Sequence, residues 1–252
     1  SNELTLTPRQ RIVINREISR LESIGNVKEA KEYKDLYQYD GIETCATCSL
    51  CSTACPVKID TGNLTKHLRA EQLTSKDKAI ANYVANNFST TLTGIRFGLH
   101  SSNFIHKVLG TSKMESFTKT LRTISKNKTP KWSPTMPKAI SINLNFEQKD
   151  SDKKIVYFPS CINRTMGLNS ISKEDKELFD ITVELLQKAG YQIILPQNLS
   201  NLCCGMPFSS KGFNEASNTK SSQLEEALLN ASEFGTYSIL CDTSPCTKKM
   251  ME

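Results

Sequence analysis

The nine cysteines of this 252-residue chain fall into two sets, and their spacing could do chemistry. The denser set lies in Cys45-Ala46-Thr47-Cys48-Ser49-Leu50-Cys51-Ser52-Thr53-Ala54-Cys55-Pro56. Its C-x2-C-x2-C-x3-C-P pattern is a run that holds [4Fe–4S] clusters. A cubane needs thiolates converging from several directions. Two-residue gaps let one tight loop aim three sulfurs inward, and the fourth Cys, backed by Pro, leaves the loop. A structural zinc site and a disulfide pair are the competing readings. Zinc sites usually split their cysteines into two C-x2-C pairs with a longer span between them, which this run fits poorly.

The second set is Cys161, Cys203, Cys204, Cys241 and Cys246. Cys161 follows the apolar run Ile155–Phe158, and Cys203 and Cys204 follow Ile193–Leu195. Cys241 ends Tyr237–Cys241, and Cys246 comes shortly after. If these runs are parallel strands, all five thiols lie beyond their carboxyl ends, the edge where open α/β sheets bind ligands. Neighbouring cysteines cannot easily form a disulfide with each other, and Gly205 lets the backbone turn sharply behind them. The leading reading is a metal or iron–sulfur site. Buried structural cysteines and a metal-free thiol redox pair are the alternatives. Pro207 and Pro245 read as loop-shaping residues.

Helices must present the first set. Thr7-Pro8 is a helix start; Ile14, Ile18 and Leu21 repeat at helical spacing, and Gly25 stands at the end. Lys28–Lys34 predicts a second helix, and Asp40-Gly41 a turn into the cysteines. After Asp60-Thr61-Gly62 a helix carries Leu64 and Leu68. Residues 75–88 predict another, with Ile80, Tyr83, Val84 and Phe88 as its apolar stripe, and 92–110 and 112–126 are weaker helices. Pro130, Pro134 and Pro137 interrupt helix, and Gln148–Lys154 is polar, so 126–153 reads as a connector. The second set sits among strands. Ser172 is expected to cap a helix with Glu174, Asp175 and Glu177 in its first turn and Leu178, Ile181, Leu185 and Leu186 on its apolar face. A further helix is expected over 222–234, with Leu224, Ala227, Leu228 and Ala231 inward. The β-α-β-α-β order implies a parallel sheet.

Charge supports two bodies. Residues 1–140 carry 21 Lys+Arg against 12 Asp+Glu, whereas 141–252 carry 11 against 14. The expected division is 1–140, a 141–153 linker, and 154–252. A basic half could meet nucleic acid, anionic lipid or an acidic partner, but no aromatic-basic interleaving favours nucleic acid. No run of about eighteen apolar residues suggests a membrane span, and no signal peptide is visible. Thiols clustered without a secretory signal point to the reducing cytoplasm. His67, His100 and His106 read as surface or packing residues. Neither a Gly-rich phosphate loop nor a Gly-x-Ser-x-Gly elbow is present, so no catalytic residue is assigned. The Lys-rich stretch 107–138 reads as a solvated face, with docking to a membrane or partner left open.

Four segments together resemble a family: Tyr39–Cys45 through Gly62, Tyr157-Phe158-Pro159-Ser160-Cys161, Asn201-Leu202-Cys203-Cys204-Gly205-Met206-Pro207-Phe208, and Cys241-Asp242-Thr243-Ser244-Pro245-Cys246. They resemble the iron–sulfur part of bacterial FAD-linked D-lactate dehydrogenases, related to the iron–sulfur subunits of glycolate oxidase and anaerobic glycerol-3-phosphate dehydrogenase. The second half is similar to the cysteine-rich CCG domain, also found in heterodisulfide reductases. The resemblance implies an α-helical ferredoxin-like [4Fe–4S] domain followed by an α/β CCG domain with a parallel sheet. It implies a flavin domain that oxidises a D-2-hydroxy acid, with electrons passing through clusters and the CCG region towards quinone.

No segment of the sequence resembles the family's flavin-binding half, where its FAD is expected. The family usually carries another four-cysteine motif just before the segment matching Leu4–Gln10, and a second CCG repeat after the first. The chain is therefore expected to be part of a larger oxidoreductase, without dehydrogenase activity alone, and with Ser1-Asn2 as a cloning remnant. Its implied partners are the parent's flavin domain and a quinone-type acceptor. Its implied location is the cytoplasm, with peripheral association at the cytoplasmic membrane face left open. By the ferredoxin rule Cys45, Cys48 and Cys51 share one cluster with a ligand from the missing motif, and Cys55 serves the other cluster. The piece is thus expected to hold its cluster poorly, or to recruit Cys55. Heterodisulfide-reductase-like disulfide chemistry at the CCG cysteines, or a non-redox zinc scaffold, are the rival functions.

Overall fold

The computed structural model describes residues 5–125, 132–144, 146–147, 150–169 and 171–252. The expectations placed on Ser1, Asn2, Leu4, Pro130, Gln148 and Lys149 lie outside the described residues. In chain order the elements are α1 (Pro8–Ser23), α2 (Val27–Tyr37), a π-helix (Gln38–Glu43), α3 (Leu50–Ala54), α4 (Thr61–Glu71), α5 (Ser75–Asn86), α6 (Phe88–Leu109) and α7 (Thr111–Ile124). There follow β1 (Pro137–Ala139), β2 (Lys154–Phe158), β3 (Met166–Asn169), α8 (Leu178–Lys188), β4 (Gln192–Ile194) and a 3-10 turn (Leu199–Asn201). The last elements are α9 (Met206–Ser209), α10 (Asn214–Ala231), β5 (Ser238–Cys241) and α11 (Ser244–Met250). The described chain is mostly helical with a small parallel sheet.

Contacts divide the chain within α5 and α10, not at 141–153. One unit runs through Tyr83 and includes Gly205–Thr219; the other holds Val84–Cys204 and Lys220–Glu252. The expected linker read polarity and prolines as a connector. However, Pro137–Ala139 forms β1, antiparallel to β3, and Ile142 and Phe146 pack on the second unit's core. Polar composition between apolar anchors does not mark a free segment.

In the first unit, α1 opens as its sequence predicts. Thr7 N–H donates to Gln10 Oε1 at 2.8 Å, and Gln10 N–H donates back to the Thr7 hydroxyl, a reciprocal cap for otherwise orphaned donors. Ile18 of α1, Tyr37 of α2 and Ile42 form a buried core, with Ile14 and Leu68 packed against it. The turn expected at Asp40-Gly41 is instead part of the π-helix, in which Thr44 N–H reaches Tyr39 O at 3.1 Å. Buried Arg11 of α1 explains this. Its Nε donates to Gly41 O at 2.8 Å and its Nη2 to the Thr44 hydroxyl at 3.1 Å, pinning the extra residue of the wide turn. The stripe expected over 75–88 is corrected in part: Phe88 is buried, but Ile80 and Tyr83 are exposed and Ala81 and Ala85 are buried instead.

In the second unit, β2 lies between β4 and β5, parallel to both. Val156, Tyr157 and Phe158 of the central strand are 0% exposed, and burial of each such side chain contributes ~1.5–3 kcal/mol. Tyr157 stacks on Phe179 of α8 with ring centroids 5.7 Å apart, and Val183, Leu186 and Ile193 complete the cluster. Helix α8 begins at Leu178 rather than after Ser172. Glu177 is engaged elsewhere: both its carboxylate oxygens accept the Leu168 N–H at 3.1 Å. The buried face of α8 is Phe179, Val183 and Leu186; of the expected face Leu186 is buried, whereas Leu178, Ile181 and Leu185 are exposed. Helix α10 starts at Asn214, earlier than expected, and buries Leu224 and Leu228 as predicted.

Candidate functional site

The dense cysteine run lies in the first unit. The chain leaves the π-helix at Thr44, passes Cys45 and Cys48, and enters the short α3, which contains Cys51 and has Cys55 as its C-terminal cap. Positive φ at Thr47 (51°) and Ser49 (60°) bends the backbone sharply, a conformation rare for non-glycine residues and characteristic of constrained sites. Arg69 of α4 clamps the entry, its Nη2 donating to Ile42 O at 2.6 Å and Cys45 O at 2.9 Å. Asp60 caps α4 by accepting Gly62 N–H at 2.7 Å and Asn63 N–H at 3.3 Å.

Donors are aimed at the sulfurs. Thr47 N–H reaches Cys45 Sγ at 3.4 Å, and the Thr61 hydroxyl reaches Cys51 Sγ at 3.2 Å. Burial raises the Cys51 thiol, but the Thr61 hydroxyl and the Thr61 and Gly62 backbone outweigh it and hold the thiol below its ordinary value. The Thr47 and Ser49 hydroxyls are buried without a hydrogen-bond partner. Unpartnered buried hydroxyls and sulfur-directed donors fit a loop shaped for a thiolate-held group. Among the described residues no thiol–thiol contact joins Cys45, Cys48, Cys51 and Cys55, and Cys48 is exposed.

The second set lies in the second unit, at the carboxyl edge of the sheet. Cys161 follows β2, Cys203 and Cys204 follow the 3-10 turn after β4, Cys241 ends β5 and Cys246 is in α11. The parallel register pairs Phe158 with Cys241, so the loops after β2 and β5 leave side by side. Gly205, at φ 84°, turns the chain directly after the cysteine pair. Cys161 Sγ is 3.9 Å from Cys203 Sγ, and Cys204 Sγ is 3.2 Å from Cys246 Sγ. Cys203 and Cys204 are adjacent in the chain, and the Cys241 thiol donates to Thr243 O at 3.7 Å. Two thiol contacts, joined by the adjacent Cys203 and Cys204, therefore gather four of the five, with Cys241 at the end of the neighbouring strand. All nine cysteines of the chain are free thiols, and Cys161, Cys203, Cys204 and Cys246 are buried.

The contacts polarise the thiols. Hydrogen bonds to Cys161 and Cys204, with burial, push Cys203 far up; bonds to Cys204 and Cys241 do the same to Cys246. Cys161 is held below its ordinary value by the Cys203 bond, against burial, with help from the Arg164 charge. Cys241 is lowered to about 7, chiefly by its bond to Cys246. Among the described residues no group of three or more Cys, His, Asp or Glu side chains already stands in a metal-holding arrangement. The convergence of five free thiols from separate loops nevertheless fits a group held by thiolates, because ligands of this type are deprotonated as the group binds.

Several residues around this site were not singled out from sequence. Arg164, 2% exposed, donates from Nε to Pro159 O at 3.0 Å and from Nη2 to Leu202 O at 2.6 Å, and Nη1 bonds Leu199 O. It thereby ties the loop bearing Cys161 to the one bearing Cys203 and Cys204. Asp242 accepts Ser160 N–H at 2.9 Å and the Tyr157 hydroxyl at 3.1 Å, tying the β5 loop to the same place. Ser221 donates to Cys204 O at 3.0 Å. A lone Arg or Asp has no spacing signature, so only the strand order could have pointed to these positions.

No protein-family model, curated protein or solved structure matches this chain. His67 is exposed beside Glu71, and His106 packs on Trp132. Among the described residues no helix is long and apolar enough to cross a membrane.

Proposed function

We propose that this chain is an iron–sulfur electron-transfer module of an FAD-linked D-2-hydroxyacid dehydrogenase of the D-lactate type, passing electrons from flavin towards a quinone-type acceptor at the cytoplasmic side. The reading takes the first unit as a ferredoxin-like domain and the second as a CCG domain. The observation that carries it is the convergence of Cys161, Cys203, Cys204, Cys241 and Cys246 at one sheet edge in a chain that also bears the C-x2-C-x2-C-x3-C-P run.

In this reading Cys45, Cys48, Cys51 and Cys55 hold a [4Fe–4S] cluster, and the five other cysteines hold a second iron–sulfur or zinc centre. A bound iron–sulfur group supplies one-electron chemistry that splits the two-electron output of a flavin. Thr61 and the Thr47 N–H stabilise negative sulfur in the loop. Arg164 and Asp242 orient the loops of the second site. The flavin, its FAD and the hydroxy acid site belong to the larger parent in this proposal.

Iron, acid-labile sulfide and zinc analysis of anaerobically prepared protein, with EPR after reduction, tests it. Iron with sulfide and a cluster signal is expected. Stoichiometric zinc without iron would replace it with the scaffold reading. A second reading, disulfide chemistry at the five cysteines, draws on the half-buried Cys241 held near neutral beside Cys246. Turnover of a model disulfide with a reduced viologen would favour it.

A further inference from the structure

The five-cysteine site is surrounded by more buried positive charge than its own side chains balance. Arg164 is 2% exposed and Lys220 is 0% exposed. Arg164 donates to the carbonyls of Pro159, Leu199 and Leu202 and stands 5.9 Å from the centre of the Phe158 ring. Lys220 Nζ donates to the Gln223 amide oxygen at 2.7 Å and stands 5.1 Å from the centre of the Phe88 ring. Among the described residues neither cation forms an ion pair with a carboxylate. Arg96 adds a third positive group, with Nη2 on Arg164 O at 2.8 Å and a buried Nε lacking a partner. The nearby acid is Asp242, committed to the Ser160 N–H and the Tyr157 and Thr243 hydroxyls and felt by Arg164 only at longer range.

Burying a charge without a counter-charge is costly, and a protein retains such a group only where something repays it. Both cations stand at the cysteine loops. Arg164 donates to Pro159 O, two residues before Cys161, and to Leu202 O, next to Cys203, and Lys220 adjoins Ser221, whose hydroxyl donates to Cys204 O; burial disfavours the charge on both. Protonated thiols or a disulfide would leave the two cations unbalanced, whereas thiolates bound to metal would balance them.

We propose that Lys220 and Arg164 are resident counter-cations of the five-cysteine site, placed so that it accepts a net anionic thiolate–metal centre and disfavours the neutral thiol or disulfide state. This rests on the reading that these cysteines hold a metal. Arg164 also ties two loops together through three carbonyls, so its removal would confuse charge with folding. Lys220 has one hydrogen bond and serves as the probe.

The test uses the full chain with Cys45, Cys48, Cys51 and Cys55 replaced by Ser, so that Co2+ reports only the second site through its thiolate absorbance. Lys220→Met is expected to weaken Co2+ binding by about ten- to a hundredfold and to raise the melting midpoint of the reduced, metal-free protein, because an unbalanced buried charge has gone. Lys220→Arg is expected to keep the affinity. Affinity within about twofold of the parent, or a metal-free midpoint that falls together with affinity, overturns the proposal, since a merely structural lysine moves both downwards. A parent that takes up no Co2+ overturns the metal reading itself; the metal-free midpoint of Lys220→Met then decides the counter-cation role, a rise supporting it and a fall overturning it.

Discussion

The two cysteine sites solve the same problem in opposite ways. The first is written into one short loop, and its sulfurs are addressed by local donors, Thr47 N–H and the Thr61 hydroxyl. The second is assembled from the ends of parallel strands, is mostly buried, and has its thiols in contact with one another. A local site depends on the backbone conformation of a few residues. An assembled site depends on the whole sheet behind it, and it can enclose cations that an open loop would leave to water. The comparison therefore predicts that the two sites fail separately.

The largest effect belongs to the assembled site. Phe158→Ala in the central strand should cost about 3–5 kcal/mol and abolish metal uptake by the second site, measured by melting and by iron content in single-site variants. Loss of the loop site in the same variant would break the comparison.

The counterpart in the loop is Gly62→Ala. A Cβ there would lie 2.9 Å from Asp60 Oδ1 and 3.2 Å from Thr47 Cα. Crowding of this kind should cost about 1–3 kcal/mol and weaken metal retention at the loop site of Cys45, Cys48, Cys51 and Cys55 but not at the five-cysteine site. Asp60→Ala removes the α4 cap and should cost about 1 kcal/mol, read as a lower urea midpoint; an unchanged midpoint would show that the cap contributes nothing.

The smallest effect concerns reactivity. Cys241 is lowered to about 7. An acid lowered in the fold is ionised above that value and protonated below it. Iodoacetamide labelling of Cys241 in reduced, metal-free protein should therefore rise through half-maximum near pH 7, while Cys203 and Cys246, both pushed far up, stay unreactive. Equal labelling of all five would contradict the polarised contacts.

These contrasts also decide what could be read from sequence. The loop run was legible because its ligands are a fixed few residues apart, and the α1 start because Thr7, Pro8 and Gln10 are local signals. The parallel strands were legible as short apolar runs broken by proline, which put the five cysteines on one edge. The buried faces of α5 and α8 were not. On α5 the larger Ile80 and Tyr83 are exposed and alanines are buried; on α8 the expected face caught Leu186 but lay one row away from Phe179 and Val183. The π-helix was hidden because its cause, Arg11, lies 30 residues from Gly41. The division within α5 and α10 was hidden because composition does not record which segments pack together. Arg164, Lys220 and Asp242 gave no signal because their importance comes only from what surrounds them.

The paired thiol contacts have a consequence for how the site can change over time. Cys161 meets Cys203 and Cys204 meets Cys246, so replacing any one of them strands its partner in a buried, poorly solvated place. Intermediates that lack a single member carry the cost of the gap without the benefit of the full set. Such a cluster drifts little by small steps, and lineages should keep or discard the members of each pair together.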